Sequence, residues 1–312
     1  MAFQTNEYLG VKGAGCAEPI TVTVPCTDAT FLQMLEQGVY PRTTSSPLRS
    51  QYIEVFNANA IAFSDDILTA HLQLLPPSIL AVVNAASWDP VIAPNTWVSL
   101  QGAGLALTGD ARGWQASDFV NNQLPTQLDH ISVTVNNKVA FVACISPTQI
   151  NILTPPDAMS GQVPVQVSNN GTVSATFMAQ AQALSPSFFE FPGGYVAAAH
   201  STGTLIGPAG LYPGLTTPAK PGEIISVFAN GFGNTSTPVV SGSLMQSGIL
   251  SPMPVVTVGG VTANVSFAGL VSPGEYQFNI QIPAGLADGD QPIAASYGGR
   301  STPAGALIAV HQ

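Results

Sequence analysis

The sequence predicts an all-β protein: two tandem immunoglobulin-like β-sandwich domains, preceded by a small, mostly extended N-terminal region with one short helix. Three observations predict it. First, a stretch occurs twice. Ser146-Pro147-Thr148-Gln149-Ile150-Asn151-Ile152-Leu153 returns as Ser272-Pro273-Gly274-Glu275-Tyr276-Gln277-Phe278-Asn279-Ile280, with Gln277 lying 128 residues after Gln149. Second, each copy alternates apolar and polar residues with period two, the mark of a strand with one buried face. Third, 30 glycines and 26 prolines punctuate short apolar runs, which suits many strands joined by tight turns.

The repeat extends on both sides. Ala93-Pro94-Asn95-Thr96-Trp97-Val98-Ser99 matches Lys220-Pro221-Gly222-Glu223-Ile224-Ile225-Ser226, and Val133-Thr134-Val135-Asn136-Asn137 matches Val256-Thr257-Val258-Gly259-Gly260. Downstream, Val163-Pro164-Val165 with Asn169-Asn170-Gly171 matches Gln291-Pro292-Ile293 with Gly298-Gly299. A repeat of this length is a duplicated domain, since solenoid units recur every 20–50 residues or so.

Residues 1–78 are the least repetitive part. Ile20–Pro25 alternates as a strand, and Asp28–Gln37 carries one helical apolar stripe closed by Gly38. Gln51–Phe63 and Ile67–Leu75 read as extended segments, and the region is a candidate arm for assembly with a neighbouring subunit. Residues 79–184 form the first repeat, with strands expected over Ile79–Val83, Trp97–Gln101, Ile131–Asn136, Val139–Ile145, Gln149–Leu153, Val163–Ser168 and Ser174–Gln180. Asn136-Asn137 and Asn169-Asn170-Gly171 are hairpin turns, because Asn and Gly tolerate positive φ. Gly109–Leu128, with Trp114, Asp118 and Phe119, is a long structured loop. Residues 185–219 connect the repeats: Pro186-Ser187-Phe188-Phe189 is apolar enough to be pinned in an interface, and Tyr195–Ile206 reads as a hairpin. Residues 220–312 form the second repeat.

Composition excludes several functions. Net charge is −10 and only 8% of residues are charged, against about 25% in ordinary globular proteins. With three lysines and four arginines, no basic patch for nucleic acid or an anionic membrane assembles. No apolar run approaches the 18 or so residues of a membrane span. A neutral surface rich in Asn, Thr, Ser and Gly points to an extracellular or cell-surface location, the leader peptide being presumed removed. For an exported chain, the spacing of Cys16 and Cys26 suggests a disulfide across a short loop, with Cys144 a free, buried core residue.

No catalytic constellation emerges. His71, His130, His200 and His311 lack zinc-type spacing, and Asp129 and His130, if extended, point to opposite faces. No nucleophile elbow or phosphate loop is present. Asp288-Gly289-Asp290 is too poor in carboxylates for a calcium loop and reads as a turn. No cofactor or metal is expected, and the protein reads as non-enzymatic. The polar candidates are the repeated pairs Gln149/Asn151 and Gln277/Asn279. Amides on one strand face suit sugar hydroxyls, yet their duplication favours a structural role in both repeats. Carbohydrate binding is the alternative function, and it asks for a row of exposed aromatics, for which Trp88, Trp97 and Trp114 are the candidates.

Val83-Asn84-Ala85-Ala86-Ser87, Ile92-Ala93-Pro94, Leu124-Pro125-Thr126, Val133-Thr134-Val135, Ser146–Asn151, Pro218–Gly222, Asn230-Gly231-Phe232-Gly233 and Tyr276–Asn279 together resemble the Solibacter-type uncharacterised C-terminal domain family. The resemblance covers roughly residues 79–312. It implies export and a tandem immunoglobulin-like fold, and it brings no activity and no catalytic residues. Asn95 departs from it, standing where the family usually has Gly after Ala-Pro. The expected function is a structural or adhesive extracellular protein that self-associates, as a homo-oligomer or as a filament assembled through its N-terminal region.

Overall fold

The computed structural model describes residues 76–107 and 110–312. The strand, helix and extended segments expected within residues 1–75, and the Cys16–Cys26 pair, lie outside the described residues. The described chain is all β apart from two single-turn 3₁₀ segments, Ala116–Asp118 and Pro192–Gly194.

The first repeat is a sandwich. One sheet runs in the order Ser78–Asn84, Trp97–Ala103, Gln149–Leu153, Phe141–Ile145 and Arg112–Gly113. The facing sheet runs Val91–Ile92, Phe177–Ala181, Gly161–Asn169, Ile131–Val135 and Gln127–Leu128. Their inward faces meet in one apolar core that includes Ile92, Val98, Leu100, Ile131, Val133, Ile150, Ile152 and Val165. Period-two alternation puts those residues on one side of each strand.

Most of the expected strands are present, and two differ for clear reasons. Val139–Ile145 is not one strand. Lys138–Val139 pairs with Ile131–Val135 in one sheet, while Phe141–Ile145 pairs in the other, and the chain crosses between layers at the buried Ala140. Ser174 interrupts the last expected strand. Its hydroxyl accepts from Val167 N and donates to the Ala175 carbonyl, leaving Thr172–Val173 and Phe177–Ala181 as separate pieces.

The turns form where left-handed backbone was expected. Asn136 and Asn137 have φ of 51° and 61°, and Gly259 and Gly260, their counterparts, have 59° and 77°. Asn95 has φ 46° and Gly222 has 83°, so Asn fills a left-handed position that Gly fills in the other copy.

The second repeat has a core of Val227, Phe232, Val256, Val258, Tyr276, Phe278, Ile280, Ile293 and Ile308. Its strands are joined in one hydrogen-bonded path. The 12-residue strand Val261–Ser272 links the layers, pairing first with Val255–Val258 and then with Glu275–Gln281. Register shifts at Val265/Phe267 and Leu270/Ser272 bend it across. Between the two cores lies a third cluster, with Trp97, Phe141 and Leu153 from the first repeat and Phe189, Phe191 and Phe228 from beyond it. Phe188 enters the second core while its neighbour Phe189 enters this middle one, so Pro186–Phe189 is pinned between the two.

Candidate functional site

The repeated amides lie on matching strands and hold matching partners. Gln149 Nε2 donates to Asn151 Oδ1 at 2.8 Å, and Ser99 Oγ donates to the same oxygen at 2.7 Å. Gln277 Nε2 donates to Asn279 Oδ1 at 2.6 Å, and Ser226 Oγ donates to it at 3.1 Å. Ser99 faces Asn151 across one ladder, and Ser226 faces Asn279 across the other. The period-two spacing brings Gln and Asn to one face, where the amides bond to each other and to a serine of the neighbouring strand.

A denser polar cluster joins the repeats, and sequence reasoning missed it. Asn84 and Asn230 are both fully buried. Asn230 Nδ2 donates to Asn84 Oδ1 at 3.0 Å and to Trp97 O at 2.9 Å, while its Oδ1 accepts from Trp97 N at 3.0 Å. Asn84 Oδ1 also accepts from Ala86 N and Ser187 Oγ, and its Nδ2 donates to Ser185 O at 2.8 Å. Nearby, Trp97 Nε1 donates to Pro273 O at 2.9 Å, and Asn95 Nδ2 donates to Gln246 Oε1 at 2.9 Å. Two backbone bonds add to the seam, Leu124 N to Gly242 O at 2.7 Å and Leu244 N to Asn122 O at 3.0 Å. Asn84 and Asn230 both sit in the motifs that carry the family resemblance. They occupy non-equivalent places in the two copies, so no repeat alignment pairs them.

Glu275 lies beside this seam and is 4% exposed. Burial pushes its carboxyl up to about 7, opposed by the hydrogen bond that Ser272 Oγ donates to Oε2 at 2.7 Å. The adjacent Gly274 donates its N–H to Gln246 Oε1 at 3.3 Å.

Several other titratable groups bond within their own loops and strands. His200 Nδ1 lies 2.6 Å from Glu223 Oε1, and its Nε2 lies 2.9 Å from Thr217 Oγ1. That order resembles a hydroxyl–imidazole–carboxylate relay. However, the Thr217 carbonyl also lies 3.2 Å from Nε2, which favours a ring that donates there over one that accepts a hydroxyl proton. Arg112 bonds both Asp118 and Asp129 and holds both carboxyls below their usual range. With this pair, Trp114, its ring tilted against Phe119 at 5.2 Å, orders the long loop. Asp129 and His130 have φ of 44° and 63° and sit in a turn, so the condition of extended backbone does not hold for them. Asp288 Oδ1 accepts from Gln312 N, and Asp290 Oδ2 accepts from Tyr195 Oη. Among the described residues, no three His, Cys, Asp or Glu side chains are grouped to hold a metal ion, and no helix is long and apolar enough to cross a membrane.

Cys144 is 1% exposed, as a core position would be, but it is disulfide-bonded, which corrects the expectation of a free thiol. A bulge between Val142 and Cys144 turns the side chain away from the first core. Val142 and Ile145 both join the first core while Cys144 joins none of the three apolar clusters. The three tryptophans do not form an exposed row. Trp97 is 8% exposed and packs edge-on to Trp114 at 5.7 Å, and the Trp88 indole nitrogen is enclosed.

A cleft of about 370 Å³ opens where the repeats meet. Pro156 and Asp157 form one wall, and Asn234, Thr235, Thr237 and Pro238 form the other.

Residues 91–189 match the IPT/TIG domain, so an immunoglobulin-like domain of that family is present there. No curated protein matches the chain. Among solved structures, the chain is similar to the γ-CGTase from alkalophilic Bacillus clarkii, with 12% identity, 78% of this chain and 27% of that chain covered, and a TM-score of 0.25. It is similar to the Bacteroides ovatus mixed-linkage glucan utilization locus protein SGBP-B, solved with a mixed-linkage heptasaccharide, with 9% identity, 77% and 47% covered, and a TM-score of 0.33. Domains 5-6 of the S-layer protein SbsC match with 9% identity, 75% and 98% covered, and a TM-score of 0.24. The chain thus spans 27% and 47% of the first two structures, and likenesses this slight say nothing of activity or ligand.

Proposed function

We propose that residues 79–184 and 220–312 are two immunoglobulin-like sandwiches, fused through the 185–219 connector into one rigid, non-enzymatic structural module of an exported protein. The observation that carries this reading is the buried seam. Flexible tandem domains meet through small, polar contacts. Here an aromatic cluster, the Asn84–Asn230 pair and backbone bonds hold the repeats together. A relative rotation would leave Trp97 N–H and both asparagine amides buried without partners. The Gln149/Asn151 and Gln277/Asn279 pairs are structural in this reading, since each braces two neighbouring strands.

The disulfide at Cys144 and a sequence with only 8% charged residues support an extracellular or surface location. The Solibacter-type resemblance over residues 79–312 is retained within this proposal, as is self-association into a filament through residues 1–78. The extended apolar pattern of Gln51–Phe63 and the low charge support the filament. Deleting residues 1–50 and measuring mass by light scattering tests it, and an unchanged mass refutes it. Calorimetry of the full chain tests the rigid module. The reading expects residues 76–312 to melt in one transition whose calorimetric and van't Hoff enthalpies agree. Two separable transitions for the repeats would overturn it.

A further inference from the structure

We propose that the cleft between the repeats binds one unit of a neutral saccharide, with the Asp157 carboxylate and the Asn234 amide gripping adjacent hydroxyls. This goes beyond the structural role above and needs no activity from the seam itself.

The cleft has the volume of a small-molecule site and lies where such sites concentrate, between two folded units. Hydrogen bonds brace parts of both walls. On the first wall, the Pro155 carbonyl accepts from Asn95 N at 3.2 Å, and Asp157 Oδ1 is held by Lys138 Nζ. On the second wall, Thr235 Oγ1 donates to Thr237 O at 2.9 Å, Ser236 N donates to Ile249 O at 2.8 Å, and Ile249 N donates to Ser236 Oγ at 3.1 Å. Preorganised walls lower the ordering that binding requires.

The chemistry of the lining selects the ligand class. The charge on the described lining is one carboxylate, paired with Lys138, and no cationic side chain is among the described lining residues. A hard cation asks for about six oxygens, and one carboxylate beside an amide and two hydroxyls falls short. What remains is a set of acceptors and donors suited to neutral hydroxyls. The second Asp157 oxygen accepts, the Asn234 amide both donates and accepts, and the Thr237 hydroxyl does either. The rings of Pro156 and Pro238 supply apolar faces for the C–H side of a pyranose. An open cleft with no aromatic side chain in its described lining implies weak binding, on the order of millimolar for one site.

The test is a two-dimensional NMR titration of the isotope-labelled full chain with neutral hexasaccharides of glucose, xylose and mannose in both anomeric linkages. Saturating shifts centred on the backbone amides of Asp157, Asn234, Thr235 and Thr237, with at least one sugar, are expected. Asp157→Ala and Asn234→Ala should each weaken that binding about tenfold or more while the melting temperature stays unchanged, since the Lys138–Asp157 pair is solvent-exposed. Shifts with none of the sugars, shifts elsewhere on the surface, or equal affinity in both variants would overturn the proposal. The same amides responding to calcium or inorganic phosphate, and to no sugar, would overturn it as well. The calorimetric test of the rigid module reads a different property, so either reading can fail without the other.

Discussion

Replacing Asn230 with Ala is the sharpest test of the seam. The side chain makes three hydrogen bonds at 2.9–3.0 Å in a site with no solvent exposure. The consequences differ from bond to bond. Trp97 O keeps the hydrogen bond from Ala85 N, and Asn84 Oδ1 keeps those from Ala86 N and Ser187 Oγ. Trp97 N–H loses the Asn230 oxygen and becomes a buried donor with nothing to replace it. One orphaned donor costs about 1–3 kcal/mol, and each of the other two bonds about 1 kcal/mol, so the total is on the order of 4 kcal/mol. For a unit of this size that lowers the melting temperature by roughly 10 °C. Urea denaturation followed by tryptophan fluorescence reads the effect, since Trp97 lies in the seam. The double variant Asn84→Ala/Asn230→Ala should be less unstable than the sum of the singles, by about 1 kcal/mol or more. A loss below about 1 kcal/mol for Asn230→Ala, or strict additivity in the cycle, would refute the claim that this pair holds the repeats together.

Three further expectations concern single positions. Glu275 holds its proton up to about pH 7 when folded, against 4.5 in its ordinary state. Between those values the folded chain binds the extra proton, so stability should fall as pH rises through that window, by on the order of 3 kcal/mol in all, and level off above it. Urea midpoints measured from pH 4 to 8 read this, and Glu275→Gln should flatten the slope; an equal slope in the variant sinks the assignment. Gly231 has φ 77°, and a Cβ there would overlap the Ser185 carbonyl oxygen, so Gly231→Ala should destabilise by about 3 kcal/mol or more, whereas Gly171→Ala, with open space around it and φ 83°, should lose about 1 kcal/mol. Equal losses at the two glycines would contradict the close approach. Finally, peptide mapping of unreduced, alkylated protein should find Cys144 in a bonded pair. Free alkylated Cys144 would refute that, and the same map tests the Cys16–Cys26 pairing, which a bond from Cys144 to either one would displace.

The sequence by itself determined the strand character of the chain, its turns and its internal duplication. These are local properties. Alternation fixes which face of Gln149–Leu153 is buried, and Asn136-Asn137 or Gly259-Gly260 fixes a turn whatever lies beyond it. It also made legible the Gln-x-Asn pairs, because two residues apart on a strand share a face. What the tertiary structure alone decided is how the two copies meet. Asn84 and Asn230 are 146 residues apart and non-equivalent in the repeat, so no spacing announces that one amide bonds the other. Nothing in the sequence marks Glu275, and only the packing around the Pro273–Gly274 turn takes its carboxyl out of water. The bulge at Cys144 shifts one residue to the other face of its strand, which a period-two reading cannot register. The cleft has the same origin. Pro156–Asp157 and residues 234–239 are loop segments far apart in the sequence, and only the tertiary structure makes them opposite walls.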